Sequence, residues 1–291
     1  MGTFNRRVAG ALAAAALTFS GPALAGMGQP SDWQIGFQDA GSPIMEQIHG
    51  FHNFVTAIII AITLFVLALL AWVMIRYNEK RNPVPSRTSH HTMLEIAWTI
   101  IPILILVAIA IPSFRLLFAQ YDYPKADITI NATGHQWYWS YEYPDEDIQF
   151  DSLMVDESQL EEGQPRLLTV DNEVVVPVGK NVLVQVKSTD VIHDWAVPSF
   201  GVKVDAVPGR LQTTWFRANE EGMFYGQCSE LCGRNHAFMP IAIRVVSEDE
   251  YAKWLAETKE AALDDGNSVA EAKPAPAVRE DDGEKLAAIE N

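Results

Sequence analysis

The chain has 291 residues, is 48% hydrophobic, and carries a formal net charge of −16. That length leaves room for one or two domains, and the acidic balance excludes a nucleic-acid partner. High hydrophobicity beside high negative charge points to membrane segments joined to an acidic soluble part.

In chain order, Arg6-Arg7 precede an apolar run from Val8 to Phe19 and then Ala23-Leu24-Ala25. A basic start, a short apolar core and an A-x-A site read as a signal peptide over 1–25, cleaved after Ala25; the alternative is a retained anchor. No cysteine follows that site, which argues against a lipoprotein anchor. An exported segment, 26–52, comes next. Val55 to Ile75 and Ile96 to Phe114 are free of charge and long enough to span a bilayer. They predict a transmembrane helical hairpin over 53–118, with Pro102 and Pro112 tolerated where neighbours shelter the freed carbonyls. The linker carries Arg76, Lys80, Arg81 and Arg87 against Glu79, so it is expected in the cytoplasm, with both termini and the C-terminal domain on the periplasmic side of a bacterial inner membrane. Glu95 sits at the cytoplasmic start of the second span.

From Tyr121 onward 14 Lys+Arg face 32 Asp+Glu, a net of −18. Alternating stretches at Asp127–Thr133 and Lys180–Ser188, with shorter ones at Leu211–Ala218, Gly222–Gln227 and Ile241–Val246, predict an all-β sandwich domain over 119–254. Glu248–Ala262 has helical spacing with Ser247 as N-cap. The acidic remainder, 255–291, is expected to continue that helix briefly and then be disordered.

Cys228-Ser-Glu-Leu-Cys232-Gly-Arg-Asn-His236-Ala-Phe-Met239 holds both cysteines of the chain. Exported cysteine pairs usually form a disulfide. Here the bridge would close a very small loop, where the entropic benefit is least, and would leave His236 and Met239 without a role. Two thiols, a thioether and imidazole favour copper, with His193 as the upstream candidate ligand. Zinc accepts Cys2His2, but the spacing is unlike a zinc finger and the methionine has no use there.

Gly134-His-Gln-Trp137-Tyr138-Trp139-Ser-Tyr141-Glu142-Tyr143 is very aromatic for an exported stretch. As a strand it would place Trp137, Trp139, Tyr141 and Tyr143 on one face for packing. Nine acids with no Lys or Arg follow between Glu142 and Glu162, so the stretch also reads as a transient docking site for a basic protein. Of the remaining histidines, His49 and His52 suit a membrane boundary, His90 and His91 solvent, and His135 a structural role.

These stretches, with Gly36-Phe-Gln-Asp-Ala40, Leu94-Glu-Ile-Ala-Trp-Thr-Ile-Ile-Pro102 and Asp205-Ala-Val-Pro-Gly-Arg210, resemble subunit 2 of bacterial haem-copper cytochrome c oxidases from about Gly36 to Trp254. The resemblance implies a cupredoxin-like Greek-key sandwich behind the membrane hairpin, holding a binuclear CuA centre of two copper ions. Carried over, Cys228 and Cys232 bridge both coppers. His193 and Met239 complete one; His236 and the Glu230 carbonyl complete the other. The Glu230 side chain reaches a magnesium ion shared with subunit 1. Trp137 becomes the electron-input residue, and Trp137, Tyr138, Glu142, Asp145, Asp147 and Asp151 dock cytochrome c. Glu95 lies at the mouth of a proton channel. Implied partners are cytochrome c, oxidase subunits 1 and 3, and the lipid bilayer. Implied function is transfer of electrons from cytochrome c to haem a of subunit 1, for respiratory oxygen reduction coupled to proton pumping.

The chain has no Cys-x-x-Cys-His, so no covalent haem is expected in it. Quinol oxidase subunits share the topology but lack the cysteines. The copper domain of nitrous oxide reductase shares the metal motif but needs a β-propeller and no hairpin. A copper carrier would have no use for the aromatic-acidic stretch.

Overall fold

The computed structural model describes residues 28–264. The expected signal peptide, and the tail from 265 on, lie outside the described residues.

Helix α1 runs Pro43–Arg76 and α2 runs Thr92–Tyr121. Both expected spans lie inside longer helices. The α1 extension starts at a strong local signal: the Ser42 hydroxyl oxygen accepts from the Met45 amide at 3.0 Å, Pro43 fits the first turn, and Glu46 faces the positive helix end. The same Ser42 hydroxyl donates to the Phe200 carbonyl at 2.7 Å, which ties the head of α1 to the β domain. There Ile44 and Met45 are buried. Most large apolar side chains elsewhere in α1 and α2 are exposed, as expected of helices whose solvent is lipid. Helix α2 begins with reciprocal capping: His91 Nδ1 accepts from the Leu94 amide at 3.3 Å, and Glu95 Oε1 accepts from the His91 amide at 3.2 Å.

Ten strands follow: β1 Ile128–His135, β2 Tyr138–Tyr143, β3 Ile148–Ser152, β4 Val174–Pro177, β5 Val182–Ser188, β6 His193–Val197, β7 Val202–Ala206, β8 Gln212–Phe216, β9 Gly222–Cys228 and β10 Pro240–Val246. They form two five-stranded sheets, ordered β3-β2-β1-β5-β8 and β4-β10-β9-β6-β7. The sandwich expected from the strand pattern is present. Its core is aromatic: Trp139, Tyr141, Tyr143, Trp195, Phe200, Phe216 and Phe224 are all essentially fully buried. Their polar atoms are satisfied, as burial demands. The Trp195 indole donates to the Tyr141 hydroxyl at 3.2 Å, and the Tyr143 hydroxyl donates to the Val175 carbonyl at 2.9 Å.

Helix α3, Glu248–Asp264, is capped as expected, with the Glu250 amide donating to Ser247 Oγ at 3.3 Å.

Candidate metal centre

The pairing of β6 with β9 explains why a histidine 35 residues upstream reaches the cysteine loop. The two strands are antiparallel, with Trp195 opposite Cys228. The last residue of β9 therefore lies beside the first turn-end residues of β6, and His193 opens β6. From Cys228 the chain makes an irregular loop and re-enters the sheet at Pro240, so Met239 is returned to the same rim.

The six donors meet there. Cys228 Sγ lies 3.8 Å from Cys232 Sγ, 3.8 Å from His193 Nδ1 and 3.4 Å from the Glu230 carbonyl oxygen. Cys232 Sγ lies 3.5 Å from His236 Nδ1 and 3.6 Å from Met239 Sδ. Each sulfur thus faces the other sulfur, one imidazole and one weaker donor. Both cysteines are free thiols and buried, as are His193 and Met239, whereas the neighbouring Glu230 and Leu231 are exposed. The disulfide reading does not describe this arrangement. The alternation of soft and borderline donors fits copper.

Electrostatics at the two sulfurs differ. Burial pushes the Cys228 thiol up, but hydrogen bonding to His193 and at the Asp194 backbone outweighs it and holds Cys228 below the ordinary thiol value. Burial and the neighbouring Cys228 push Cys232 up to about 12. Without a cation the pair therefore keeps a proton on Cys232, and a metal binding both sulfurs must displace it.

Surrounding groups hold the donors in place. His193 Nε2 is 2.8 Å from Asp190 Oδ1, which leaves Nδ1 as the nitrogen facing the sulfurs. The other oxygen of that carboxylate accepts from the Gln136 amide at 2.7 Å. The Gln136 side-chain amide and the Trp137 indole both donate to the Cys232 carbonyl, at 2.8 and 3.2 Å. Trp139 donates to the Met239 carbonyl at 3.3 Å. Two glycines permit this closeness. At Gly134 a Cβ would lie 2.9 Å from the His193 ring, and at Gly233, with φ of 119°, one would lie 3.1 Å from Trp137. Asp190, Gln136, Gly134 and Gly233 were not singled out from sequence; Gly134 and Gln136 stand inside the aromatic motif and Gly233 inside the cysteine motif.

The aromatic stretch divides. Trp139, Tyr141 and Tyr143 are core, while Trp137 precedes β2, half-exposed on the metal rim. Tyr138 stacks on His135 at 4.5 Å, and His135 is hydrogen-bonded to Ser140 and Thr189, consistent with a structural role. Asp145 and Asp147 are exposed. Glu142 accepts from Asn131 at 2.9 Å and Asp151 from Ser140 at 2.6 Å, so both are partly engaged internally. Glu95 is remote from the metal rim, at the other end of the hairpin.

Comparison with known proteins finds two family matches. The description "Cytochrome C oxidase subunit II, periplasmic domain" matches residues 128–246, and "Cytochrome C oxidase subunit II, transmembrane domain" matches residues 30–116. The chain is 52% identical over 241 residues to a probable cytochrome c oxidase subunit 2 of Rickettsia bellii, covering 82% of this chain and 90% of that one. It is 50% identical over 269 residues to cytochrome c oxidase subunit 2 of Cereibacter sphaeroides, covering 86% and 89%. The crystal structure of the periplasmic domain of subunit II of cytochrome oxidase from Bradyrhizobium japonicum is 62% identical, covers 48% of this chain and 98% of that one, and superposes with a TM-score of 0.45.

Proposed function

The chain belongs to the cytochrome c oxidase subunit II family, and on that premise we propose that electrons from reduced cytochrome c come in at the sulfur-rich rim and leave toward haem a of subunit 1. The chain is part of the oxidase complex, a membrane protein with a CuA-type domain on the periplasmic side, and the electron-input role is consistent with its family. The observation that carries the reading is the pair of buried thiols 3.8 Å apart, each with its own imidazole and its own weaker donor.

We assign the ligands as His193, Cys228, Cys232, His236, Met239 and the Glu230 carbonyl, holding two copper ions. Held by these residues, the copper pair would supply one-electron transfer. This chain's residues do the rest. The sandwich rim fixes six donors before metal arrives. Asp190 orients the His193 ring. Trp137, donating to the Cys232 carbonyl, is the electron-input residue, because it alone of the aromatic stretch is both half-exposed and bonded to a ligand's backbone. Asp145 and Asp147, with Glu142, Asp151 and Tyr138, steer cytochrome c. The exposed Glu230 side chain is assigned to a magnesium ion shared with subunit 1. Subunits 1 and 3 pack on the hairpin in an inner membrane, with both termini periplasmic.

Copper content and the electron paramagnetic resonance spectrum of the purified full-length chain test the centre. Two coppers with a seven-line pattern are expected; one copper with four lines, or an oxidised cysteine pair, overturns the reading. Glu95 is assigned to the mouth of a proton channel. Glu95→Gln keeps the oxygen that caps α2 and removes only the charge, so slowed turnover is expected and unchanged turnover overturns the assignment.

A further inference from the structure

The stretch Asp32–Gln38, just before α1, is built inside out. Trp33 is 94% exposed, Ile35 is fully exposed and Phe37 is 45% exposed, while Gln38 is buried. Of its polar side chains Asp32 is exposed, while Gln34 and Gln38 are engaged internally: Gln34 Oε1 accepts from the Ser31 amide at 3.1 Å, and Gln38 Oε1 accepts from the Ser199 hydroxyl at 2.8 Å. Trp33 sits at φ 58° in a turn closed by the Gln34 amide on the Ser31 carbonyl. That conformation is a genuine outlier for a bulky residue. In water a strained backbone that presents a bare indole is unfavourable twice over.

We propose that Trp33–Phe37 is a strap lying in the periplasmic headgroup layer of the bilayer, with Trp33 and Ile35 set among the lipids at the edge of the acyl chains. The height follows from α1. Its charge-free run, Val55–Ile75, is 21 residues, or ~31 Å at 1.5 Å per residue, which fills the ~30 Å hydrocarbon core. The Phe37 ring stacks on His49 at 5.6 Å and meets His52 edge-on at 4.7 Å. Those histidines stand six and three residues before Val55, so ~4–9 Å beyond the core edge. The headgroup layer is ~5–8 Å thick on each side. Phe37, the α1-proximal end of the strap, is thus held at the level where tryptophan is enriched in membrane proteins, and Trp33 and Ile35 lie two to four residues from it. The transmembrane family match, 30–116, includes the strap.

Photocrosslinking tests the proposal. Trp33→p-benzoylphenylalanine and Ile35→p-benzoylphenylalanine oxidase complexes are reconstituted into vesicles of phosphatidylcholine and phosphatidylglycerol, irradiated, and digested for mass spectrometry. Neither residue belongs to the metal centre, so oxidase activity is retained and reports folding. Lipid adducts at both positions are expected, and none with the same probe at Leu153, an exposed apolar residue of the β domain. Adducts to another oxidase subunit overturn the proposal in favour of a protein groove. Absence of any adduct overturns it in favour of a solvated loop. As a second readout, bromine placed near the headgroup quenches a component of tryptophan fluorescence that Trp33→Phe removes; an unchanged quenched component also overturns it.

Discussion

The metal rim and the membrane hairpin solve opposite problems. At the rim three of the six donors are held by groups of the same domain: a carboxylate on His193, an indole on the Cys232 carbonyl, another on the Met239 carbonyl. In the hairpin almost no side chain is buried within the chain: Ile44 and Met45 alone are buried among its described helical residues. The rim is organised by the chain itself; the hairpin turns its apolar side chains outward, as a membrane segment does. Redox chemistry needs the first arrangement, because ligands that shift between oxidation states raise the barrier. Assembly needs the second. Substitutions at the rim should therefore act locally and differ in kind from one another.

The largest effect is expected at the sulfurs. Cys232→Ser removes the donor that faces His236 and Met239 together. Loss of the seven-line spectrum and of at least one copper per chain is expected, measured by metal analysis and paramagnetic resonance. A retained seven-line pattern would mean that Cys232 does not bridge. Next comes Trp137→Phe. It keeps an aromatic ring but deletes the indole donor to the Cys232 carbonyl, and cytochrome c oxidation should slow by about tenfold or more, ~1.4 kcal/mol or more in barrier. The copper spectrum should be unchanged, which separates a lost route from a damaged centre.

The same contrast governs what could be read from sequence. The hairpin announced itself through two charge-free runs, because lipid selects composition directly. Its extension back to Pro43 did not, since Pro43–Phe54 mixes polar and apolar residues and is fixed by the Ser42 cap and by packing at Gly201. Strands β1 and β5 alternate and were legible. β4 and β6 are buried along their whole length, so no period of two marks them. At the rim, the cysteines, His236 and Met239 were legible because they crowd into twelve residues. Asp190 and Gln136 were not: they act across 54 residues, through one backbone amide, and only the parallel pairing of β1 with β5 inside one sheet brings them together.

Asp190→Asn sharpens the point about local organisation. The carboxylate holds His193 with one oxygen and the Gln136 amide with the other; an asparagine accepts with only one. Copper affinity should fall by ~10-fold, the lower end for loss of a ligand's hydrogen-bond partner. The reduction potential should rise, because an imidazole without its carboxylate is a weaker donor to the oxidised metal. Redox titration of the loaded chain checks the sign, and a lowered potential would mean that Asp190 does not act through His193.

The smallest effect belongs to the acidic surface. Asp145 and Asp147 are exposed, with solvent rather than protein around them. An exposed charge in the lower part of the usual range contributes ~0.2–0.5 kcal/mol to a pair it makes, so Asp145→Asn with Asp147→Asn should lower the rate with cytochrome c by only about two- to fivefold at low salt. The diagnostic is the salt dependence. Steering acts over ~8–10 Å at physiological ionic strength, so the wild-type rate should fall as salt is added, and the double variant should fall along a shallower slope until the two converge. Parallel slopes would mean that these acids are ordinary solubilising charge. The copper spectrum and the Asp190-dependent potential should be untouched in either case, because nothing on that surface bonds to a ligand: the docking charges can be removed without the rim registering their loss.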